Sequence, residues 1–487
     1  MINRRTLLRS TAATLAGAGT LALARIAPAA PPAPLDDLTI IRRAMALHPG
    51  LYRYQSPREF DRRFARFARE WQDQPGRAAR FLALSRLTAA VRCGHTQCNP
   101  FNQSDAVVAD LFDRPTRLPF RFRWLREGMV VLGDSGTATG IAPGSVIRSL
   151  NGQTPAAMLR ALVPYARADG SNDAKRTALM EMRGDEEFET FDIYQGLLFP
   201  PPCEGHRVVW RDPQQRLHSA LLPPVSYAAR KALLPPAPSG DAPLWTWQQD
   251  LAGIVTLTMP TWVTYDRKWD WRGWLEQRLG KLAGARGLII DIRQNEGGTD
   301  CGTWLLQRMI SQPLRPLRYL NKVRFRKVDD DLIPYLDTWD RSFRTLGEAA
   351  VAGPDGLLIL PDAGDEDETV LAPAPPRITV PVAVLMGPIN SSATFSFVRR
   401  VREARAATLI GAPSGGNLRG INGGAMFFVR LPQSGLEFDL PLKGFFPEAS
   451  QPDAGILPDI AVANRAEDIA KGFDREAAAA RSFLLRT

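Results

Sequence analysis

The chain has 487 residues, 45% of them hydrophobic and 23% charged, with a formal charge of +10. These proportions are ordinary for folded proteins and exclude little by themselves, but the length exceeds what one core serves and implies about two to four domains. Lysines and arginines are spread along the sequence rather than gathered in a basic tract, which argues against nucleic acid as a partner.

Residues 1–30 combine a charged start, an apolar stretch at 10–23 and the small residues Ala27-Pro28-Ala29. That is the pattern of a secretory signal peptide. Arg4-Arg5, a polar residue, two leucines and Arg9 resemble a twin-arginine export signal, which implies a bacterial protein exported folded. The expected location is periplasmic or secreted. No cysteine near the cleavage site suggests a lipid anchor, and no later stretch is apolar and long enough to span a bilayer. Cys93, Cys98, Cys203 and Cys301 could form disulfides in an oxidising compartment, with a pairing that sequence does not fix. The cysteines lack zinc-ligand spacing and the four histidines include no HExxH pair, so neither metal nor cofactor is expected.

After a stiff linker at 31–34, residues 35–112 read as a helical region. Ser56-Pro57-Arg58-Glu59 is a capping box with proline in the first turn. Phe60, Phe64, Phe67 and Trp71 then recur at helical spacing. After a Pro75-Gly76 break, a further helix carries Phe81, Leu84, Leu87 and Val91 and should stop near Gly94. His95 is thereby expected on an exposed turn.

From 113 to 235 short strands are predicted at 129–132 and 145–150, with a hairpin-like pair around Asp212-Pro213. The segment GIAPGSVIRSLNGQTPAAMLRAL at 140–162 resembles a PDZ domain, with 165–200 as a helical insertion. Such a domain binds an extended peptide by strand addition, often capturing its terminal carboxylate. Prolines at 223–224, 235–236 and 238 mark an exit linker.

Residues 243–487 carry the chemistry. A strand is predicted at 252–258, an amphipathic helix at 271–284, and a near-continuous apolar strand of the buried type at 287–292. A helix follows Gly297-Gly298. Residues 381–386 repeat the theme, with a turn at 387–391 and a helix beginning near Ser392. A hydroxyl there meets backbone N–H groups and the positive end of the helix dipole. Residues 313–377 look like an inserted excursion, and DAGDEDE at 362–368 like a solvated loop.

Four ordered segments, DIRQNEGG (291–298), SSATF (391–395), GAPSGGN (411–417) and GILPDI (455–460), resemble the motifs of the tail-specific, or C-terminal-processing, serine peptidases. The resemblance implies a multidomain α+β architecture: an N-terminal helical segment, a PDZ-like domain and a crotonase-like α/β protease core. It implies Ser392 as nucleophile, because Ser392 directly precedes the alanine of the motif, with Ser391 shaping the turn. It also implies an oxyanion hole from backbone N–H groups of Ala393 and of Gly297 or Gly298.

One position departs from the family. Where dyad-type processing peptidases carry lysine, this chain has Asn417, which cannot accept the serine proton. Cys93-Gly94-His95-Thr96 resembles the G-H-T signature of the tricorn-core type, and makes His95 the base; Lys443 is an alternative base. The resemblance places the third, acidic residue shortly before GILPDI, with Asp453 preferred over Glu448 and Asp459 assigned to structure. The expected function is a serine endopeptidase acting on proteins or peptides, and nothing in the sequence specifies how many subunits assemble. A catalytically inactive relative that binds peptides or small ligands is the alternative, and a PDZ-type scaffold a third reading.

Overall fold

The computed structural model describes residues 35–236, 238–338, 342–361 and 370–487. The signal-like segment, the linker at 31–34 and the acidic run at 362–368 lie outside the described residues.

Four helices open the chain: α1 (Asp37–Ala46), α2 (Pro57–Asp73), α3 (Arg77–Ala89) and α4 (Asp105–Phe112). The capping box forms at α2, where Ser56 Oγ accepts from the Glu59 N–H and Glu59 accepts from the Ser56 N–H. All four aromatics of the predicted stripe are buried, with ring centroids 5.3–5.9 Å apart. Helix α3 ends at Ala89, several residues short of Gly94, because Arg92 turns left-handed at φ 59°.

Five antiparallel strands follow in spatial order: β1 (Phe120–Leu125), β2 (Gly128–Asp134), β3 (Val146–Leu150), β4 (His206–Arg211) and β5 (Leu217–Leu222). Between β3 and β4 lie α5 (Pro155–Leu162), α6 (Asp173–Leu179) and α7 (Thr190–Leu198), and α8 (Tyr227–Ala232) follows β5.

The remaining chain forms β6 (Thr246–Gln249), β7 (Ile254–Thr258), α9 (Trp271–Leu279), β8 (Gly287–Asp291) and α10 (Cys301–Met309). Short strands β9 (Tyr319–Val323), β10 (Leu336–Asp337), β11 (Val351–Ala352) and β12 (Leu358–Ile359) come next. Then come β13 (Val382–Met386), α11 (Ala393–Ala404), β14 (Thr408–Gly411), β15 (Met426–Arg430), β16 (Glu437–Pro441) and β17 (Gly444–Pro447). The chain closes with β18 (Ile460–Ala461), α12 (Ala466–Ala470) and α13 (Arg475–Leu484). A six-stranded sheet, β18-β14-β13-β8-β7-β6, is parallel except for β6. Parallel strands covered on both faces must be apolar on both, which is why 287–290 and 382–386 are buried at every position.

The excursion at 313–377 is not a free insertion. Strand β9 pairs with β17 and β10 pairs with β15, so it completes two smaller sheets. Strands β15 and β16 also share one hydrophobic core with α1–α4 and the β1–β5 sheet, through Phe427, Phe438 and Leu440. The N-terminal helices are therefore built onto the C-terminal block and not closed on themselves.

All four cysteines are free thiols, three buried and Cys203 exposed, so the disulfides contemplated from sequence do not form. Among the described residues no helix is long and apolar enough to cross a membrane.

His48 ties the helical region to the turn at 93–96. Its Nδ1 accepts from the Gly50 N–H at 3.0 Å, and its Nε2 lies 2.9 Å from Thr96 Oγ1. Burial, then Arg53 and Arg324, push its pKa down from 6.5 to about 3. A neutral His48 therefore supports the fold fully above pH 6.5, and that support is lost as pH falls toward 3. Thermal midpoints measured from pH 7 to 4 should fall more steeply in the wild type than in His48→Gln. Parallel curves for the two proteins would refute the assignment.

Candidate active site

The site is built where two strand-ending turns meet. The β13 turn is stitched to the β8 turn by two side chains. Asn390 Nδ2 donates to the carbonyls of Ile292 (2.5 Å) and Asn295 (2.9 Å), and its Oδ1 accepts from the Gly387 N–H. Thr394 Oγ1 reaches the carbonyls of Asn295 and Ser391. The third motif closes over them: the N–H groups of Gly415 and Gly416 both donate to the Asn390 carbonyl. A side chain at Gly415 would strike the Pro388 carbonyl and one at Gly416 the Phe395 ring, so only glycine permits this approach. The fourth motif locks the third, through Ser414 Oγ accepting from the Ile456 N–H at 2.8 Å. Asp459 bonds Leu409 through both its N–H and its carboxylate, the structural part expected of it.

Held in this frame, Ser392 takes φ 54°, ψ −129° at the start of α11 and makes no capping bond. A serine in that region is strained. Ser392 lines a cavity of about 240 Å³ together with His95, Ser391, Gly297 and Gly298. The two glycines divide their roles. The Gly297 N–H donates to Asn295 Oδ1 at 2.9 Å, while its α-carbon edge packs on Ser392 and the Ala393 nitrogen. The Gly298 N–H takes no part in the bonds that its neighbours make with Trp262.

His95 stands on the turn after α3 but is half-buried, not exposed as the sequence suggests. Its ring packs on Gly423, and the segment at 167–170 covers the turn. There Asp169, 1% exposed, accepts the Gly94 N–H through Oδ1 at 2.8 Å, and Arg167 donates to the Gly94 carbonyl. Asp169 Oδ2 and His95 Nδ1 are both shut from solvent without a hydrogen-bond partner. The carboxylate and the imidazole bring donor atoms within 4.8 Å of each other. Burial holds the imidazole below its ordinary pKa, Lys175 and Arg167 acting with it and Asp169 and Glu296 against it.

The carboxylate beside His95 is thus Asp169 rather than Asp453. Asp453 accepts from the Ser171 N–H and hydroxyl and from Asn417 Nδ2 (2.7 Å), which itself reaches the Asp169 carbonyl. It supports the loop that carries Asp169. Glu448 pairs with Arg318 at an exposed position. Lys443 lies against Gly424 and over the Phe445 ring. Asp169 was missed because nothing in its local sequence marks it.

Behind the β13 turn lies a second group absent from the sequence reading. Lys175, wholly buried on α6, places Nζ 2.6 Å from Ser391 Oγ and 2.9 Å from Glu296 Oε1. Arg167 binds the same carboxylate at 2.8 Å. Although burial alone would raise it, Arg167 and Lys175 hold Glu296 well below the usual carboxylate range.

The profile of peptidase family S41 matches residues 253–462. No curated protein matches the chain in sequence. Among solved structures, mature CPAF complexed with lactacystin is 14% identical with a TM-score of 0.59, covering 92% of this chain and 96% of that one. Mature CPAF gives 16%, 0.54, 92% and 94%. At these identities the likeness is one of fold. The photosystem II D1 C-terminal processing protease is 13% identical over 88% of this chain and 94% of its own, and its TM-score of 0.36 carries no argument.

Removing one partner of a buried ion pair costs about 3 kcal/mol. Lys175→Met should lower unfolding stability by about that much in denaturant titration. A change within about 0.5 kcal/mol would mean the Lys175–Glu296 contact is not formed.

Proposed function

We propose that this chain, which carries a peptidase family S41 domain at residues 253–462, is a serine peptidase working through an acyl-enzyme at Ser392. His95 serves as base and Asp169 orients it. The observation that carries the reading is the strained Ser392 lining one cavity with His95 and the glycine turn. In attack, the Ser392 hydroxyl proton passes to His95 Nε2 as the Oγ–C bond forms. The carbonyl electron pair moves to oxygen, where the N–H groups of Gly298 and Ala393 are suited to receive it. Collapse breaks the C–N bond, and His95 returns the proton to the leaving amine. Water repeats the cycle on the ester. Asp169 would bind Nδ1–H, fixing the tautomer and stabilising the imidazolium.

The finer reading is of an endopeptidase acting in the periplasm or outside the cell, on the pattern of residues 1–30. The β1–β5 sheet would receive the substrate's C-terminal region. Its edge strand β5 exposes Leu217 and Leu221, and an open edge is where an extended peptide adds.

Labelling by a fluorophosphonate probe tests the assignment. Ser392→Ala and His95→Ala should abolish it, Ser391→Ala should keep it, and Asp169→Asn should slow it by about 10²–10⁴-fold. Because His95 must be neutral to act and its pKa lies below 6.5, the rate should fall only on the acid side of that value. Labelling that persists in Ser392→Ala, or its absence from folded wild type, would defeat the reading.

A further inference from the structure

Cys93 has no part in the proposed chemistry, yet its thiol sits in the middle of it. Cys93 Sγ, a ring nitrogen of His95 and a carboxylate oxygen of Asp169 all lie within 4.8 Å of one another. We propose that these three side chains form a site for one thiophilic divalent cation of the Zn²⁺ type, which silences the enzyme by capturing its base. The chemistry of the donors selects the ion. A thiolate, an imidazole and a carboxylate are the ligand types of zinc, held at about 2.0–2.3 Å, whereas magnesium and calcium take oxygen only.

Two further observations point to a ligand. His95 Nδ1 and Asp169 Oδ2 are solvent-inaccessible and unbonded, and Asp169 is 99% buried by its 1% exposure. The sulfur is already turned inward, accepting from the His95 N–H at 3.4 Å. The charges close as well: one thiolate and one carboxylate neutralise the dication in a pocket that would penalise any remainder. Binding releases the thiol proton as the S–H bond is replaced by the S–metal bond. His95 borders the cavity, which supplies the entry path. A bound metal takes the nitrogen and the carboxylate that the base needs from each other. The silencing therefore rests on the proposed mechanism, while the binding does not.

Cobalt(II) reports the site directly, since a thiolate bound to it gives a near-ultraviolet charge-transfer band. The full chain is used with the exposed Cys203 replaced, as Cys203→Ser. One equivalent of Co²⁺ should produce the band and Zn²⁺ should remove it. Adding Cys93→Ser, or separately Cys93→Ala, should abolish the band and weaken Zn²⁺ binding at least tenfold, with circular dichroism confirming the fold. Zn²⁺ should slow fluorophosphonate labelling at least tenfold, reversibly by chelator, in Cys203→Ser but not with Cys93→Ser. No band in the folded Cys203→Ser protein, or one that survives loss of Cys93, overturns the site. A band without any effect on labelling overturns the silencing. Labelling absent even in metal-free protein, with the band present, instead removes the peptidase reading and leaves the site standing.

Discussion

One carboxylate flanked by two buried cations pins the three parts of this molecule together. Glu296 comes from the β8 turn, Arg167 and Lys175 from the segment between β3 and β4. Arg167 continues to the Gly94 carbonyl beside His95, and Lys175 continues to the Ser391 hydroxyl beside Ser392. A fully buried ammonium costs several kcal/mol unless its charge and protons are matched. Lys175 meets that requirement only when the β8 turn, the β13 turn and α6 are docked in this arrangement. The placement of both candidate catalytic side chains is therefore coupled to one electrostatic condition.

Around that pin, rigidity takes the form of hydrogen bonds rather than bulk. The strained backbone at Ser392 persists because Asn390, Thr394 and the amides of Gly415 and Gly416 over-determine the turn. Strain of this kind costs on the order of 1–3 kcal/mol, less than the group of bonds opposing its release. Relaxation of Ser392 would have to break several of them at once. The glycines serve distance here: at Gly415 and Gly416 a methyl group would separate the third motif from the turn it covers.

His95 depends on packing from further away. Its turn is backed by His48 through Thr96, covered by Arg167 and Asp169, and joined to β16 by the Gln97–Asp439 bridge. Asp439, buried and bonded to Asn99 and Asn102, is pushed up to about 7 by burial. Strands β15 and β16 thus act as the seat on which the N-terminal helices hold an imidazole against a cavity built by the C-terminal sheet.

What the sequence determined is what short stretches of chain encode alone. Three of the four C-terminal motifs were legible because each sits at a strand-ending turn whose residue types answer to local geometry: apolar runs for a covered parallel sheet, glycines for close approach, Ser392 before Ala393; GILPDI instead runs irregularly into β18. The same holds for the capping box at Ser56 and the aromatic stripe of α2, where spacing and structure share one period. Tertiary structure alone decided the partners. Asp169 and Lys175 sit in a segment with no motif, and their roles arise from contacts with residues 75 and 216 positions away. Asp453 looked like the acid by its place near the last motif, but Asn417 and Ser171 claim its oxygens. Charge pairing inside a protein is set by which surfaces are desolvated together, and no local pattern carries that information.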